Sequence, residues 1–409
     1  MKIKTLYVNK LPYVIKDFDN LNIEEILRKC KNDLDEYCDA SNVTLESNKM
    51  ITTMSPTVQT KQYYNNSPHI SIVMAYHNRY EQLEITLDTL KLSSFKDFEV
   101  IIIDDASDDI NDIKMLIYKY EFPIKLVSIS KREKTWVNPC IPYNIGFRLA
   151  SGDKIIVQNP EVCHIGDIIS HVNMNLSKGK YLAYSVFSSP SFDHNNEISQ
   201  SINDKVDMFK YINNIDYNKY SFDYEYYKNK YDDVKNLPHD KLLEHFIKYG
   251  NQQGRTCNIS NIYHPDIYIK WKGWYQHPKF NPRAFHFLTA ITKEDLALIG
   301  GFDNNFKDGL WYDDDDFLCR IRNVCKVEIV TPQNVCGIHL HHHNGSASEN
   351  RKNYGQLISI NKNIYSNNSK LKITKANIII EQTDPNNYKI IDNNIFDHRN
   401  FKCAICVKT

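Results

Sequence analysis

Two short apolar runs, each followed directly by polar residues, constrain the fold more than any other feature of the sequence. Residues 70–74 are apolar except for Ser71, and residues 100–103 are apolar at every position. Unbroken runs of this length are typical of strands buried on both faces, as in a parallel sheet covered by helices. Leucines recur at helical spacing between the two runs, which predicts a strand–helix–strand unit.

The polar residues that follow these strands are candidates for a ligand site. Residues 75–79 follow the first strand, and Asp104 and Asp105 follow the second. In open α/β sheets, ligands bind beyond the carboxyl ends of the strands. We therefore predict half of a nucleotide-binding fold, with Asn78 and Glu81 forming a capping box at the start of the intervening helix.

The alternation of strands and helices continues along the chain. We predict strands at 124–129, 154–157 and 327–330, and helices at 143–150 and from residue 293 onward. This order is typical of an α/β protein with a mostly parallel central sheet.

Composition excludes several classes of protein. The 409 residues include 50 basic and 50 acidic side chains, so the chain lacks the basic excess that nucleic-acid binding requires. No apolar run approaches the roughly 18 residues of a transmembrane helix. Ten scattered cysteines are typical of reduced, buried thiols. We expect a soluble, cytoplasmic protein, and its frequent Asn and Ile fit an AT-rich coding genome, a viral one among the candidates.

Four consecutive aspartates, residues 313–316, lie between Trp311 and Phe317. One interpretation is a solvated acidic turn, and the other is a half-buried cleft. The flanking aromatic residues favour the cleft, where like charges raise one another's pKa. A carboxylate at the edge of a cleft can accept the proton of an attacking hydroxyl.

A second cluster combines His339, His341, His342 and His343 after a predicted strand. Three interpretations are open: divalent-metal ligands, a surface turn, or acid–base groups. Imidazole suits transition metals, and carboxylate oxygen suits Mn²⁺ or Mg²⁺. The sequence has no GxGxxG or GxxxxGK[ST] loop, so metal and side chains would have to bind any phosphates.

Five segments match, in order, the motifs of a known family. They are residues 72–79, residues 103–108 (DDxSxD), residues 143–146 with 150–153, residues 300–303 (GGFD), and residues 311–320, which are similar to a WGxEDDD segment. On these segments the chain resembles GT-A-fold glycosyltransferases of the family-2 type, with a C-terminal half similar to the β-galactosyltransferases. The resemblance implies a Rossmann-like three-layer α/β/α fold.

The resemblance also implies a role for each matching position. Asp314 falls on the general-base position, and Asp313 falls where the family has Glu. His339 matches a histidine that completes the metal site, and His342 resembles the second histidine of an HxxH pattern. The matching positions that would bind the donor nucleotide are Ala75, Tyr76, His77, Arg79, Asp104, Asp105 and Asn144.

The sequence departs from the family at the end of the fourth strand. The family has an Asp-x-Asp there that holds the metal on the donor diphosphate, whereas this chain has Gln158, Asn159, Pro160 and Glu161. Only Glu161 keeps a carboxylate, and we predict that it is the substitute metal ligand. Gln158 and Asn159 would bond hydroxyls of the sugar or the ribose.

We therefore predict an inverting transferase that moves a hexose from a UDP-sugar to a hydroxyl of a glycan or glycoprotein. Mn²⁺ is the expected ion, with Mg²⁺ as the alternative. Trp274 and Trp311 would stack on a sugar ring, and plain packing is the alternative for each. The rivals are a GT-A scaffold that binds a nucleotide or glycan without catalysis, and a sugar-nucleotide pyrophosphorylase, which the missing Gly-rich loop disfavours.

The resemblance leaves three parts of the chain uncovered. We expect a C-terminal extension with one strand near residues 376–380, an N-terminal extension with a helix at 22–37, and an inserted hairpin of two short helices. The resulting division is 1–67 (N-terminal extension), 68–190 (nucleotide-sugar half), 191–265 (helical insertion), 266–345 (acceptor and catalytic half) and 346–409 (C-terminal extension).

Overall fold

A computed structural model describes most of the chain from residue 68 to residue 392. The described residues are 5–8, 11–14, 68–132, 134–203, 222–250, 253, 255–257, 265–342, 353–384, 387–392 and 404–408. The helix predicted at 22–37 and the side chain of His343 lie outside them.

Sixteen strands lie in this part of the chain. They are β1 (Thr5–Val8), β2 (Leu11–Val14), β3 (Ile70–Tyr76), β4 (Phe98–Asp105), β5 (Ile124–Ile129), β6 (Lys154–Gln158), β7 (Val162–Ile165), β8 (Lys180–Tyr184), β9 (Val186–Ser188), β10 (Trp274–Gln276), β11 (Leu288–Thr292), β12 (Lys326–Val330), β13 (Cys336–His339), β14 (Ile378–Asp384), β15 (Asn387–Asp392) and β16 (Ala404–Lys408).

The α-helices of the same residues lie mostly between these strands. They are α1 (Tyr80–Leu90), α2 (Cys140–Leu149), α3 (Ile168–Asn175), α4 (Phe192–Asn203), α5 (Tyr224–Lys230), α6 (His239–His245), α7 (Pro265–Trp271), α8 (Lys293–Ile299), α9 (Asp313–Val324) and α10 (Tyr354–Leu371). None of these helices is both long enough and apolar enough to cross a bilayer.

The large sheet has eight strands in the order β12-β8-β11-β6-β3-β4-β5-β16. Six of them run in one direction, and β11 and β16 run against their neighbours. Successive side chains of β3 point to opposite faces, so that Ile72 joins the core with the leucines of α1, and Val73 joins the core with α2, α8 and α9. The predicted three-layer arrangement with a mostly parallel sheet is confirmed.

A second sheet, in the order β10-β9-β13-β7, adjoins the large one. Ser185 alone separates β8 of the large sheet from β9 of the small sheet, and its carbonyl accepts a 2.8 Å hydrogen bond from the Gly337 N–H. A Cβ atom at Gly337 would lie 2.8 Å from Val162 and 2.9 Å from Leu288, which belong to different sheets. Any larger residue would force these two side chains to shift.

Two predictions about local structure need correction. The Asn78–Glu81 capping box is wrong, because the N-cap of α1 is Arg79 and no side chain caps the helix. The Asn78 side chain instead exchanges two hydrogen bonds with Asp108, of 2.8 and 2.9 Å, in the loop after β4. The C-terminal extension is also more than one strand, since it contains the 18-residue helix α10.

The predicted pair of short helices is present in the insertion. α5 and α6 pack around an apolar cluster of their own, which contains Phe222, Tyr227, Val234, Leu242, Phe246 and Cys257. α4, which also belongs to the insertion, packs differently, because its Asn195 forms hydrogen bonds with the backbone of His341 in the segment after β13. The predicted domain boundaries remain a prediction.

Candidate active site

Strand pairing in the small sheet brings Glu161 to the histidine segment. Glu161 lies in the turn between β6 and β7, and β13 pairs antiparallel with β7 so that His339 lies opposite Val162. The N–H of Leu340 donates a 2.8 Å hydrogen bond to the carbonyl of Glu161. Residues far apart in sequence therefore meet at one end of the small sheet.

Glu161, His339 and His342 form a cluster that we call the ligand triad. The Nε2 atoms of His339 and His342 lie 3.5 and 3.9 Å from the Oε1 atom of Glu161, and one ligand atom from each residue lies within 4.8 Å of the others. One carboxylate and two imidazoles are a donor set that suits Mn²⁺ and other transition metals. The residues present therefore fit the metal site that the sequence predicts.

The charge state of Glu161 suits a metal ligand. Burial raises the pKa of Glu161, but the hydrogen bond and charge of His339 outweigh it, and the charges of His342 and Arg79 add to the effect. The pKa of this buried carboxyl is therefore held well below its usual range, and the group is ionised at neutral pH. The Nδ2 atom of Asn159 donates a further 3.2 Å hydrogen bond to Oε1.

The backbone of His341 is held in place by two buried amides. Asn195 accepts from the His341 N–H at 2.9 Å and donates to its carbonyl at 2.7 Å, and Gln82 donates to the same carbonyl at 3.0 Å. The His341 ring lies edge-on to Phe192, with centroids 4.8 Å apart. These contacts argue against a plain surface turn at His341, and among the histidines of the cluster that the structure describes, His339 and His342 face Glu161.

The four aspartates form the first turn of α9 and point to different partners. Successive helical side chains lie about 100° apart, and the N-terminal end of a helix stabilises negative charge. Asp316 is paired with Arg320 through two contacts of 2.8 and 2.9 Å, and both residues are buried. Asp313 is also buried and accepts a 2.8 Å hydrogen bond from Asn138. The solvated-turn interpretation is thereby excluded.

Asp314 contacts a histidine that sequence reasoning missed. Its Oδ1 atom contacts the Nδ1 atom of His286, and the Asp314 side chain is 28% exposed whereas that of His286 is 8% exposed. Burial lowers the pKa of His286, but the charges of Asp314, Asp313 and Glu161 outweigh it and raise the pKa above the usual value. Antiparallel pairing of β11 with β6, with Leu288 opposite Gln158, brings His286 to this edge.

Tyr143 links the ligand triad to the acidic helix. Burial raises its pKa most, and the charges of Glu161, Asp314 and Asp313 raise it further. The ring of His286 packs edge-on against Tyr143 at 4.8 Å and is affected by the same three carboxylates. The charges of Glu161 and Asp314 therefore act on the same two buried rings.

Asp104 and Asp105, which both follow the apolar part of β4, differ in their surroundings. Asp105 is buried, and its carboxylate accepts from Lys134 at 2.7 Å and from Trp136 at 2.9 Å. Asp104 is half-buried and accepts from the N–H of Ser107 at 3.0 Å, and burial raises its pKa. His77 Nδ1 lies 2.9 Å from the Asp105 carbonyl.

Several predicted donor-site residues make internal contacts. The Tyr76 side chain is fully buried, and its hydroxyl donates to the Asn111 carbonyl at 2.8 Å. Gln158 is fully buried, donates to the Val162 carbonyl at 3.1 Å and lies 2.8 Å from His164 Nε2. These side chains shape the edge of the sheet from within.

Asn144 is likewise bound within the protein. Its Nδ2 atom donates to the Phe302 carbonyl at 2.8 Å and to Asn304 at 2.7 Å, and its Oδ1 atom accepts from the Phe302 N–H at 3.0 Å. It ties α2 to the turn after α8. Ala75 and Arg79 are half-buried near the end of β3.

The two tryptophans predicted to bind a sugar have opposite environments. Trp274 is buried and packs edge-on against Phe187, with centroids 5.1 Å apart. Trp311 is 58% exposed and packs edge-on against Tyr354 at 5.8 Å. Trp311 and Tyr312 both have φ of +63°, in the left-handed region that side chains rarely adopt.

Residues 71–231 match the family model described as glycosyl transferase family 2. The family-2 prediction is confirmed over these residues. The matched segment, less than half of the chain, contains the strand ends of β3 and β4 and also Glu161. His339, His342 and α9 lie beyond it. No match is found among the curated proteins.

Solved structures similar to this chain include glycosyltransferases. One is the mannosyltransferase PcManGT from Pyrobaculum calidifontis in complex with GDP-Man and Mn²⁺ (12% identity, TM-score 0.36, covering 69% of this chain and 59% of that one). Another is S. aureus TarS 1–349 in complex with UDP-GlcNAc (12% identity, TM-score 0.37, covering 68% of this chain and 60% of that one). A third is S. aureus TarS (12% identity, TM-score 0.35, covering 69% of this chain and 38% of that one). The chain spans less than two thirds of each of these three.

Proposed function

We propose that the protein is an inverting glycosyltransferase that moves a hexose from a UDP-sugar to a hydroxyl of a glycan or glycoprotein. The observation that carries the proposal is a chain of contacts between the ligand triad and Asp314. Tyr143 packs edge-on against His286, which contacts Asp314. The Tyr143 hydroxyl also donates to Asn159, whose amide donates to Glu161. Displacement of a nucleoside diphosphate needs positive charge at the leaving group and a base at the acceptor. The two kinds of group are present and within reach of each other.

Glu161, His339 and His342 are the residues that would hold a divalent ion, with Mn²⁺ favoured over Mg²⁺ by the two imidazoles. Such an ion supplies charge that offsets the negative charge on the departing diphosphate, typically by several kcal/mol. Glu161 thereby takes the place of the Asp-x-Asp that the family has.

The donor nucleotide would lie beyond the ends of β3 and β4. Asp104 is favoured over Asp105 for the uracil or the ribose, because Lys134 and Trp136 already occupy both carboxylate oxygens of Asp105. The other residues in this role are Ala75, His77, Arg79 and Asn159, with Tyr76 acting through its backbone.

Asp314 is the proposed general base, because its side chain is partly exposed, whereas the neighbouring Asp313 is buried. A positioned carboxylate that takes the acceptor proton contributes about 10²–10⁴-fold to the rate. A single base opposite the leaving group gives one displacement and inversion at the sugar carbon. The exposed ring of Trp311 is favoured over the buried ring of Trp274 for stacking on a sugar.

A donor screen tests the proposal. The purified protein is incubated with UDP-Glc, UDP-Gal, UDP-GlcNAc, UDP-GalNAc or GDP-Man, with and without Mn²⁺, and release of nucleoside diphosphate is measured. We expect Mn²⁺-dependent release from one UDP-sugar. UDP binding without any release would indicate a binding module, and pyrophosphate release from UTP with a sugar phosphate would indicate a pyrophosphorylase.

A further inference from the structure

The contact between His286 and Asp314 assigns a role to a residue outside the motifs. We propose that His286 is a positioning residue that holds one carboxylate oxygen of Asp314, so that the other oxygen faces the acceptor hydroxyl. This inference rests on the proposed function, since it concerns the base of that reaction.

The contact is close and buried. The Nδ1 atom of His286 and the Oδ1 atom of Asp314 are both buried and contact each other, and neither forms a hydrogen bond with any other residue that the structure describes. A buried polar atom without a partner is costly, so each atom stabilises the other in place. The carboxylate is therefore fixed through one oxygen.

Packing fixes the imidazole in turn. The His286 ring lies edge-on to Tyr143 at 4.8 Å and to Phe302 at 5.0 Å. The ring is nearly buried whereas Asp314 is more exposed, so the carboxylate is the partner that a substrate can reach. This difference in exposure favours Asp314 as the base and His286 as the group that orients it.

The charges around His286 support the same arrangement. The groups that act on it are Asp314 and Asp313 from α9 and Glu161 from the turn between β6 and β7, and Tyr143 packs against it from α2. The contact with the ring offsets part of the repulsion between Asp313 and Asp314. The carboxylate of Asp314 is thereby oriented.

Two substitutions separate the hydrogen bond from the packing. His286→Phe keeps a ring against Tyr143 and Phe302 but removes the donor, whereas His286→Asn keeps an N–H near the Nδ1 position. We expect His286→Phe to lower kcat at least about 10-fold with UDP affinity within about twofold of wild type, and His286→Asn to retain kcat within about fivefold. His171→Phe, which removes a half-buried histidine bonded to Tyr184 at 2.9 Å, is the matched control and should leave kcat unchanged.

Three results would overturn the assignment: wild-type kcat in His286→Phe, equal losses in both variants, or a parallel loss of UDP affinity. NMR titration of ¹⁵N-labelled histidine in the metal-free protein provides a second test. It depends neither on turnover nor on whether the His286 variants fold. The pKa of His286 should fall in Asp314→Asn, and an unchanged pKa would contradict the contact. Absence of wild-type turnover with every nucleotide sugar would refute the proposed function and the positioning role together, whereas an unchanged pKa of His286 in Asp314→Asn would refute the positioning role alone.

Discussion

Asp313 and Asp314 show how neighbours in sequence acquire different chemistry. Both belong to the first turn of α9, yet Asp313 is buried against Asn138 whereas Asp314 is partly exposed beside His286. Burial, together with the charge of Asp314, raises the pKa of Asp313 to about 7. The pKa of Asp313 is therefore raised by its surroundings, whereas Asp314 is the carboxylate that a substrate could reach.

Substitution of Asp314 tests the base. Asp314→Asn should lower kcat by about 10²–10⁴-fold, because the amide cannot take the acceptor proton. UDP affinity, measured by calorimetry with Mn²⁺, should stay within about twofold of wild type. Asp315→Asn, one position along the same turn, is the matched control, and normal turnover in Asp314→Asn would remove this residue as the base.

The raised pKa of Asp313 leads us to expect that the stability of the protein depends on pH. Its pKa rises from an ordinary value of 3.8 in the unfolded chain to about 7 in the folded protein, so between these values the folded state binds more protons. The free energy of unfolding should therefore fall as pH rises from about 4 to 7, by at most about 1.4 kcal/mol per pH unit from this group.

Asp313→Asn should remove this part of the slope, because the amide does not ionise but can still accept from Asn138. Urea denaturation of the variant and the wild type at pH 5 and pH 7.5 measures the effect. The variant should gain stability relative to wild type at the higher pH. An equal difference at the two pH values would contradict the raised pKa.

The sequence predicted those members of the candidate site that follow a recognisable strand or fall on a family motif. Glu161, His339 and His342 follow strands or fall on motif positions, and the structure brings them together as a possible metal site. His286 has no such signal, because its position depends on the antiparallel register of β11 against β6. A lone histidine before an apolar run is indistinguishable in sequence from a core residue.

The sequence did not predict α10, and among such unpredicted elements this helix has the largest effect on the candidate site. Asn361 is fully buried and donates a 3.0 Å hydrogen bond to the carbonyl of Trp311. Asn368 donates to Asp303 at 3.1 Å and to Asp316 at 2.9 Å. The helix therefore holds both the turn before α9 and the first turn of α9 itself.

This support explains how two aromatic residues keep a left-handed backbone. Such conformations cost roughly 1–3 kcal/mol each unless the surroundings stabilise them. Gly309 allows the close approach, because a Cβ atom there would lie 2.2 Å from the Oδ1 atom of Asn361. The sequence could not show this, because the Asn- and Ser-rich segment has low helix propensity, and its helix depends on packing.

Removal of the Asn361 amide tests the role of α10. Asn361→Ala should lower the free energy of unfolding by about 1–3 kcal/mol, because the Trp311 carbonyl loses the donor that the buried Asn361 amide supplies. Chemical denaturation measures the change, and Asn363→Ala on the exposed face of the same helix is the control. Equal stability of the two variants would show that the amide does not support the turn.

On the scale of the whole molecule, the site lies where the two sheets meet. The ligand triad comes from the small sheet and the turn that leads into it, whereas His286 precedes a strand of the large sheet. The sequence predicted five strands of the large sheet, namely β3, β4, β5, β6 and β12, and most of these are largely apolar runs, but it did not predict β8 or β16. It did not predict the small sheet, whose strands of three or four residues carry little periodic signal.

Metal binding across this junction should stabilise the folded protein. Ligand at 100 times its Kd adds about 2.7 kcal/mol, so Mn²⁺ should raise Tm in the wild type. Glu161→Gln should lose most of this shift, and Glu328→Gln, on β12, should keep it. The shift should weaken as pH falls, because the histidines must be deprotonated to bind. An undiminished Mn²⁺ shift in Glu161→Gln would count against Glu161 as a ligand.

The close contact at Gly337 has a consequence for how such a chain can change. One hydrogen atom fills the gap between residues of the two sheets, and His339 lies two positions along the same strand. A methyl group at this point would force the side chains of Val162 and Leu288 to shift. We therefore expect a substitution at Gly337 to disturb the proposed metal site, although Gly337 is not itself one of the proposed ligands.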